Sequence, residues 1–211
     1  SETLSILLPA SLGVSAFQVA GIGTPNRTQI QMYVTWCLVP LAIALISGLL
    51  FNLDVELELI VALTLLLYIG VRLSPRMEIV LREQLQRTPQ AWLVGVGAVH
   101  GLSNLGGGLL AIFAGSRFEN KQDVRGNIAF CYMCFAIIQL AILAFLKPDV
   151  MHVLQLAYAL VAIIIFIVVD KLVFSILAKS VFDKILTIVI GCYSALIFLK
   201  LFGFLDPATN F

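Results

Sequence analysis

Polar side chains and glycines interrupt an apolar stretch, HGLSNLGGGLL, that runs from His100 to Leu110. The polar residues are His100, Ser103 and Asn104, and the glycines are Gly106, Gly107 and Gly108. Polar groups inside a membrane segment are costly and typical of functional sites. Three adjacent glycines would destabilise a continuous helix by about 1 kcal/mol each relative to alanine. The pattern favours an unwound backbone whose free N–H groups, with the N-terminus of a following helix, suit an anion.

Other interpretations of this stretch stay open. The glycines could serve close helix packing, and each polar side chain could satisfy a neighbouring carbonyl group. Ser103 and His100 could act as nucleophile and base of an intramembrane hydrolase, although no third member or oxyanion motif accompanies them. An unperturbed imidazole has a pKa of about 6.5, so His100 is interpreted either as a proton-linked switch or as a structural histidine.

Three more candidates lie on the next apolar segment: Arg125 and Asn127 beside its start, and Gln139 in its middle. A basic residue can draw anions toward an opening, and a buried amide must find a hydrogen-bond partner. The alternatives are a topology signal for Arg117, Lys121 and Arg125 and an interhelical hydrogen bond for Gln139.

The remaining reactive or charged residues have structural interpretations. Cys131 and Cys134 share one helix face, but no second pair or histidine cluster accompanies them, so we predict core residues rather than a redox site. Asp170 and Lys171 interrupt an apolar run and are predicted to snorkel at the inner interface, with an ion relay as the alternative. We expect no catalytic residue, metal or cofactor.

The composition predicts an all-α integral membrane protein. Of the 211 residues, 61% are hydrophobic and 12% are charged, against about half and about a quarter in soluble domains. We expect one multi-pass domain over residues 1–211 in the lipid bilayer of the cell membrane. The net charge of +1 excludes a strongly basic, nucleic-acid-binding surface. Because the chain begins with Ser1 rather than methionine, we expect it to start partway into a longer protein.

Apolar runs of bilayer-crossing length, about 17 to 25 residues, set the predicted architecture. They cover 30–51, 59–74, 127–147, 152–173 and 185–203, with a weaker run, 4–22, that contains Pro9. If the region 91–115 crossed the bilayer fully, the basic clusters on either side of it would face opposite compartments, against the positive-inside rule. A re-entrant helix, loop and helix instead leaves 11 of the 13 basic residues inside.

An internal repeat is also indicated. Residues 38–51 align with 160–174, and 59–73 with 185–199. An acidic connection in the first copy and a basic one in the second indicate opposite orientations, the inverted-repeat arrangement of secondary transporters, whose sites lie on broken helices at the bilayer midplane. We predict an inverted-repeat helical bundle with a glycine-rich re-entrant or broken helix. Its parts are an incomplete first repeat (1–75), an amphipathic cytoplasmic linker (76–90) and a second repeat (91–211).

The stretches GVGAVHGLSNLGGGLLAIF and NKQDVRGNIAFCYMCF resemble the second repeat of the sulfite exporter TauE/SafE family of bacterial membrane transporters. The family's glycine-rich motif is matched by Gly101, Gly106, Gly107 and Gly108. Asn104 stands where the family usually has glycine, no proline follows the three glycines, and the first-half copy of the motif is absent from the chain. The resemblance implies export of small anions, sulfite and organosulfonates among them.

These observations predict a secondary transporter that exports a small anion, with a proton as the hypothesised coupling ion. The predicted substrate-binding residues are His100, Ser103, Asn104, Gly106, Gly107, Gly108, Arg125, Asn127 and Gln139. The alternatives are the intramembrane hydrolase and a membrane scaffold subunit that moves no cargo.

Overall fold

The computed structural model describes residues 2–51, 63, 66, 69, 70, 73–104, 106–152, 154–173, 188, 192 and 199. Every regular element in this part of the chain is helical. The α-helices are α1 (Glu2–Ile22), α2 (Arg27–Tyr33), α3 (Val39–Phe51), α4 (Pro75–Arg87), α5 (Pro89–Ser103), α6 (Gly107–Arg117), α7 (Lys121–Leu146) and α8 (Leu154–Val173). A π-helical turn, Val34–Leu38, joins α2 to α3, and a 3-10 turn, Pro148–Val150, lies between α7 and α8.

Three helical stretches among the described residues are long and apolar enough to cross a membrane: Leu4–Ile22, Arg27–Phe51 and Lys121–Leu146. They fit a helical membrane protein and confirm the helices predicted at 30–51 and 127–147. The weaker run at 4–22 is also a full helix, with Pro9 inside it. In α8 the apolar part, Gln155–Asp170, is shorter. Most of 59–74 and nearly all of 185–203 lie outside the described residues.

Helices α1 and α8 pack side by side and run in the same direction. Near their N-terminal ends, Gln155 Nε2 donates a hydrogen bond to Ser5 Oγ over 2.8 Å. Farther along, the rings of Phe17 and Phe166 meet edge to face with centroids 6.2 Å apart. The residue numbers rise together along both helices, which defines a parallel pair.

Helices α7 and α8 are antiparallel. The start of α7 meets the end of α8 through an ion pair in which Arg125 Nη2 lies 2.6 Å from Asp170 Oδ1. The 3-10 turn joins their opposite ends.

The α2–α3 segment runs in the same direction as α7. At one end, Tyr33 donates its hydroxyl hydrogen to Asn127 Oδ1 over 2.9 Å, and at the other, Leu49 packs on a cluster that contains Leu143. Helices α3 and α8, which include residues 39–51 and 160–173 of the two aligned segments, therefore point in opposite directions.

Candidate functional site

The polar and glycine-rich stretch coincides with a break between two helices. Helix α5 ends at Ser103, and Asn104 adopts a left-handed conformation with φ of 60°. It is the only non-glycine residue in the described chain with a positive φ. Asparagine tolerates this conformation better than most side chains because its short amide can bond locally. Its backbone N–H donates to the carbonyl of His100 over 2.8 Å, which closes the last turn of α5.

After the break the chain turns back along α5. A methyl group added at Gly106 would lie 2.6 Å from the Val96 carbonyl oxygen and 2.7 Å from His100 Cβ, so only glycine fits there without movement. Trp92 Nε1 then donates to the Leu109 carbonyl over 3.2 Å and ties the beginning of α6 to α5. Helix α4 contacts both arms, so α5 starts and α6 ends at the same end of the bundle.

Two glycines of α5 serve helix packing. A methyl group at Gly97 would overlap the Cys37 carbonyl of the π-helical turn, and one at Gly101 would overlap the Leu41 carbonyl of α3. Their spacing of four residues places both on one face, as in small-xxx-small contacts between membrane helices. Gly101 therefore contributes to packing rather than to the break itself.

Side chains of α7 form one wall of the break. The His100 ring packs on Phe135, with centroids 4.4 Å apart, and edge-on against Tyr132, at 5.7 Å. A methyl group at Gly107 would collide with the Tyr132 hydroxyl, so that hydroxyl lies directly against the backbone where α6 begins. Gln139, one turn beyond Phe135, donates from Nε2 to Asn104 Oδ1 over 3.4 Å.

Two buried polar atoms at this place have no hydrogen-bond partner within the described chain: His100 Nδ1 and Gln139 Oε1. Their residues are 2% and 0% exposed, respectively. His100 packs on Phe135, and Gln139 is four residues farther along α7, a rise of about 6 Å. Buried polar atoms are nearly always hydrogen-bonded, and an exception calls for a water molecule, an ion or a ligand.

The N-terminus of α6 lies at the same place. Gly106 is its N-cap residue and supplies no side-chain hydrogen bond. The first N–H groups of a helix have no partner within the helix, and no side chain of the N-cap residue competes with an external acceptor at the start of α6. Ser103, at the other edge of the break, donates its hydroxyl hydrogen to the Val99 carbonyl over 2.7 Å.

Two predicted site residues lie away from the break. Arg125 pairs with Asp170 and lies over the Phe166 ring at 5.8 Å. Asn127 accepts a hydrogen bond from Tyr33 and donates to the Asp123 carbonyl over 2.8 Å. Both belong to the first turns of α7, with Arg125 about 20 Å along the helix from Gln139. The structure thus unites seven of the nine predicted residues and leaves these two at the end of the bundle.

Sequence reasoning missed the aromatic wall. Tyr132 and Phe135 share a helix face with Gln139, because residues three, four and seven apart lie on one side of a helix. The spacing of these three residues can be recognised in the sequence. The contact of Tyr132 and Phe135 with His100, more than 30 residues earlier, cannot.

A separate cavity of about 250 Å³ lies at the end of the bundle where α7 begins. Its walls include the α1–α2 loop, Phe118, Asp123 and Asn127. No group of three His, Cys, Asp or Glu residues suited to a metal ion occurs within the described ranges.

Comparisons with protein-family models, curated proteins and solved structures find no match for this chain. The resemblance to the sulfite exporter family therefore remains a prediction from the motif residues.

Proposed function

We propose that this protein is a cell-membrane transporter that exports small anions of the sulfite or organosulfonate type, and that it binds them at the break between α5 and α6. The observation that carries the proposal is the pair of buried, unpartnered atoms, His100 Nδ1 and Gln139 Oε1, beside the uncapped N-terminus of α6. Backbone N–H groups and the positive end of the helix dipole favour an anion there.

The position of the break beside the middle of α7, and so near the middle of the bilayer, supports a transport role. It packs against residues 132–139, the central part of the 26-residue helix α7. With 15 and 11 residues, the two arms measure about 22 Å and about 16 Å, too short for either to cross a hydrocarbon core of about 30 Å. Unwound backbone is tolerated at such depth when protein surrounds it or when it lines a cavity. We therefore interpret α5 and α6 as a re-entrant pair.

The helix directions support an inverted repeat. Helices α3 and α8 run oppositely, as two copies related by an axis in the membrane plane must. The repeat pairs residues 1–75 with 91–211 and uses α4 as the linker. In transporters of this kind one half rocks against the other around a central site.

The side-chain amides of Asn104 and Gln139 can together offer a hydrogen-bond donor to the anion. In the observed arrangement Gln139 Oε1, an acceptor, is unpartnered. Rotating both amides by half a turn lets Asn104 Nδ2 donate to Gln139 Oε1 and turns Gln139 Nε2 toward the ligand. Ser103 and the backbone of Gly106, Gly107 and Gly108 complete the proposed site. Arg125 and Asn127 are assigned to the cytoplasmic mouth, where Arg125 also pairs with Asp170.

Anion flux into proteoliposomes tests this proposal, with sulfite, thiosulfate and short sulfonates as cargo. Gly107→Ala should abolish flux, because the added methyl group collides with the Tyr132 hydroxyl. Gly95→Ala is the matched control, since a methyl group there meets no atom within 4 Å, and its flux should match that of the unmodified protein. Absence of flux for every anion, from protein shown to be folded, would contradict the proposal and favour the hydrolase or scaffold alternative.

A further inference from the structure

Resting on the proposed function, we infer that each anion crosses together with one proton held on His100, so that the protein is an electroneutral anion–proton symporter. His100 is buried at the break, and its Nδ1 has no protein partner. The coupling ion is then a proton, and His100 carries it.

Among the described residues that line the break, none carries a fixed positive charge. Residues 89–116, which form the two arms, and 126–146 of α7 contain no Lys, Arg, Asp or Glu. Helix α3 has no titratable side chain. The other titratable groups in the middle of α7 and in the π-helical turn are Tyr132, Cys131, Cys134 and Cys37, all uncharged at neutral pH in their ordinary state. Helix α7 also carries Lys121, Asp123 and Arg125, but they lie in its first turns, at least about 15 Å along the helix from the Phe135 on which His100 packs.

In the part of the chain that the structure describes, the charged residues of the elements beside α5 lie toward its starting end. Helix α4, which contacts α5 there, has Arg76, Glu78, Arg82, Glu83 and Arg87 in its sequence, and Arg117 lies at the end of α6. His100 is 11 residues beyond Pro89, or about 16 Å along the helix. None of these charges is positioned to neutralise an anion beside His100.

An anion without a counter-charge is expensive in such a place. The net cost of burying an ion is several kcal/mol, even after the protein relaxes. Backbone and amide N–H groups offset part of it. A protonated imidazole supplies both a positive charge and a donor at each ring nitrogen. Because no protein group occupies Nδ1, that atom can take up the proton and direct it to the anion.

Charge and protons balance over the proposed transport cycle. On the loading side His100 takes one proton from water as the anion binds, which gives an imidazolium–anion pair with no net charge. On the opposite side the proton and the anion both leave, and neutral His100 returns. One anion and one proton move per cycle, so the anion gradient and the pH gradient together set the direction of flux and a membrane potential does not. Export then follows an outward gradient of the anion, and in proteoliposomes an imposed pH gradient alone drives flux.

Methanesulfonate is the probe for this inference, because it stays fully ionised near neutral pH and any pH dependence then belongs to the protein. Flux of labelled methanesulfonate and internal pH are recorded together in proteoliposomes that contain the full chain. We expect one proton per anion, no effect of an imposed potassium diffusion potential, and a KM that rises by up to about tenfold per pH unit on the alkaline side.

The other histidine provides a matched control. His152 is exposed in the connection between α7 and α8. His100→Gln should abolish proton movement and flatten the pH dependence, whereas His152→Gln should preserve both. If His100→Gln does not fold, the proton-to-anion ratio of the unmodified protein decides the matter.

The possible results distinguish a failure of proton symport from a failure of anion transport itself. Methanesulfonate flux without proton movement, or flux that follows the membrane potential, overturns the symport mechanism and leaves anion transport standing. Absence of flux from folded protein for every anion tested overturns both.

Discussion

Gln139 Nε2 donates a hydrogen bond to Asn104 Oδ1 across 3.4 Å, and Gln139 Oε1, in a fully buried side chain, has no partner. The contact joins the middle of α7 to the left-handed residue at which α5 ends. It links the wall of the break to its backbone, and it gives the break a polar group whose hydrogen-bonding capacity is not used by the protein.

Gln139→Leu should weaken sulfonate binding while leaving the stability of the fold nearly unchanged. We expect sulfonate affinity to fall at least about tenfold, the effect of losing one hydrogen bond to a charged group. The free energy of unfolding should change by less than about 1 kcal/mol, because the substitution also removes an unsatisfied buried acceptor. Isothermal titration and thermal unfolding in detergent measure the two quantities.

Gln155→Leu is the matched control for that experiment. Gln155 is also a buried amide, but its Nε2 donates to both Ser5 Oγ and the Val150 carbonyl. Its loss should destabilise the protein by about 1–3 kcal/mol and leave sulfonate affinity unchanged. Equal effects of the two substitutions on affinity would argue against a site at Gln139.

Asn104 should tolerate glycine and reject alanine. At a φ of 60°, alanine costs about 1–2 kcal/mol, whereas glycine adopts this conformation freely. Asn104→Ala should therefore lower the unfolding temperature measurably more than Asn104→Gly. Both should weaken sulfonate binding, since both remove the amide that meets Gln139. Unchanged binding by the glycine variant would show that this amide is not needed.

Gly97→Ala should destabilise the protein by a packing mechanism. Its methyl group would overlap the Cys37 carbonyl, so α5 would have to move away from the π-helical turn. Gly115→Ala, where a methyl group meets no atom within 4 Å, should instead raise stability by up to about 1 kcal/mol through its better helix propensity. Thermal unfolding of the two variants compares them directly, and a neutral Gly97→Ala would contradict the close packing.

The re-entrant arrangement predicts which residues share a side of the membrane. Single cysteines at exposed Glu83 and Glu119 should react with an impermeant thiol reagent from the cytoplasmic side, and one at exposed Asp149 from the opposite side. The native cysteines are first replaced by alanine. Labelling of Glu83→Cys and Glu119→Cys from opposite sides would mean that 91–115 crosses the bilayer fully.

The sequence could predict the long apolar helices because their length and hydrophobicity are properties of a continuous segment. The runs at 30–51 and 127–147 are helical for that reason. The sequence placed a break near Asn104, but the prediction that all three glycines are unwound was wrong: Gly107 and Gly108 belong to α6, and Gly106 is its N-cap. The sequence could not predict contacts between residues that are far apart in the chain. Helix packing brings Asn104 to Gln139, 35 residues later, and Arg125 to Asp170, 45 residues later.

Arg125 shows how a reasonable expectation depends on such packing. A basic residue at a helix start suits an anion, but here its guanidinium group is bound by a carboxylate from α8. The sequence does not show whether a carboxylate or an anion will bind the guanidinium group. Tyr132 and Phe135 illustrate the converse, since ordinary core residues become the wall of the site once α5 ends beside them.

Direct location of a bound anion tests the central claim that the break is the binding site. Crystals of the full chain are grown with iodomethanesulfonate, whose iodine gives an anomalous signal. We predict a peak beside His100 and Gln139, at the N-terminus of α6, that disappears in Gly107→Ala crystals. A peak only at the end of the bundle near Arg125, or a break that stays closed by protein side chains at saturating ligand, would contradict the account.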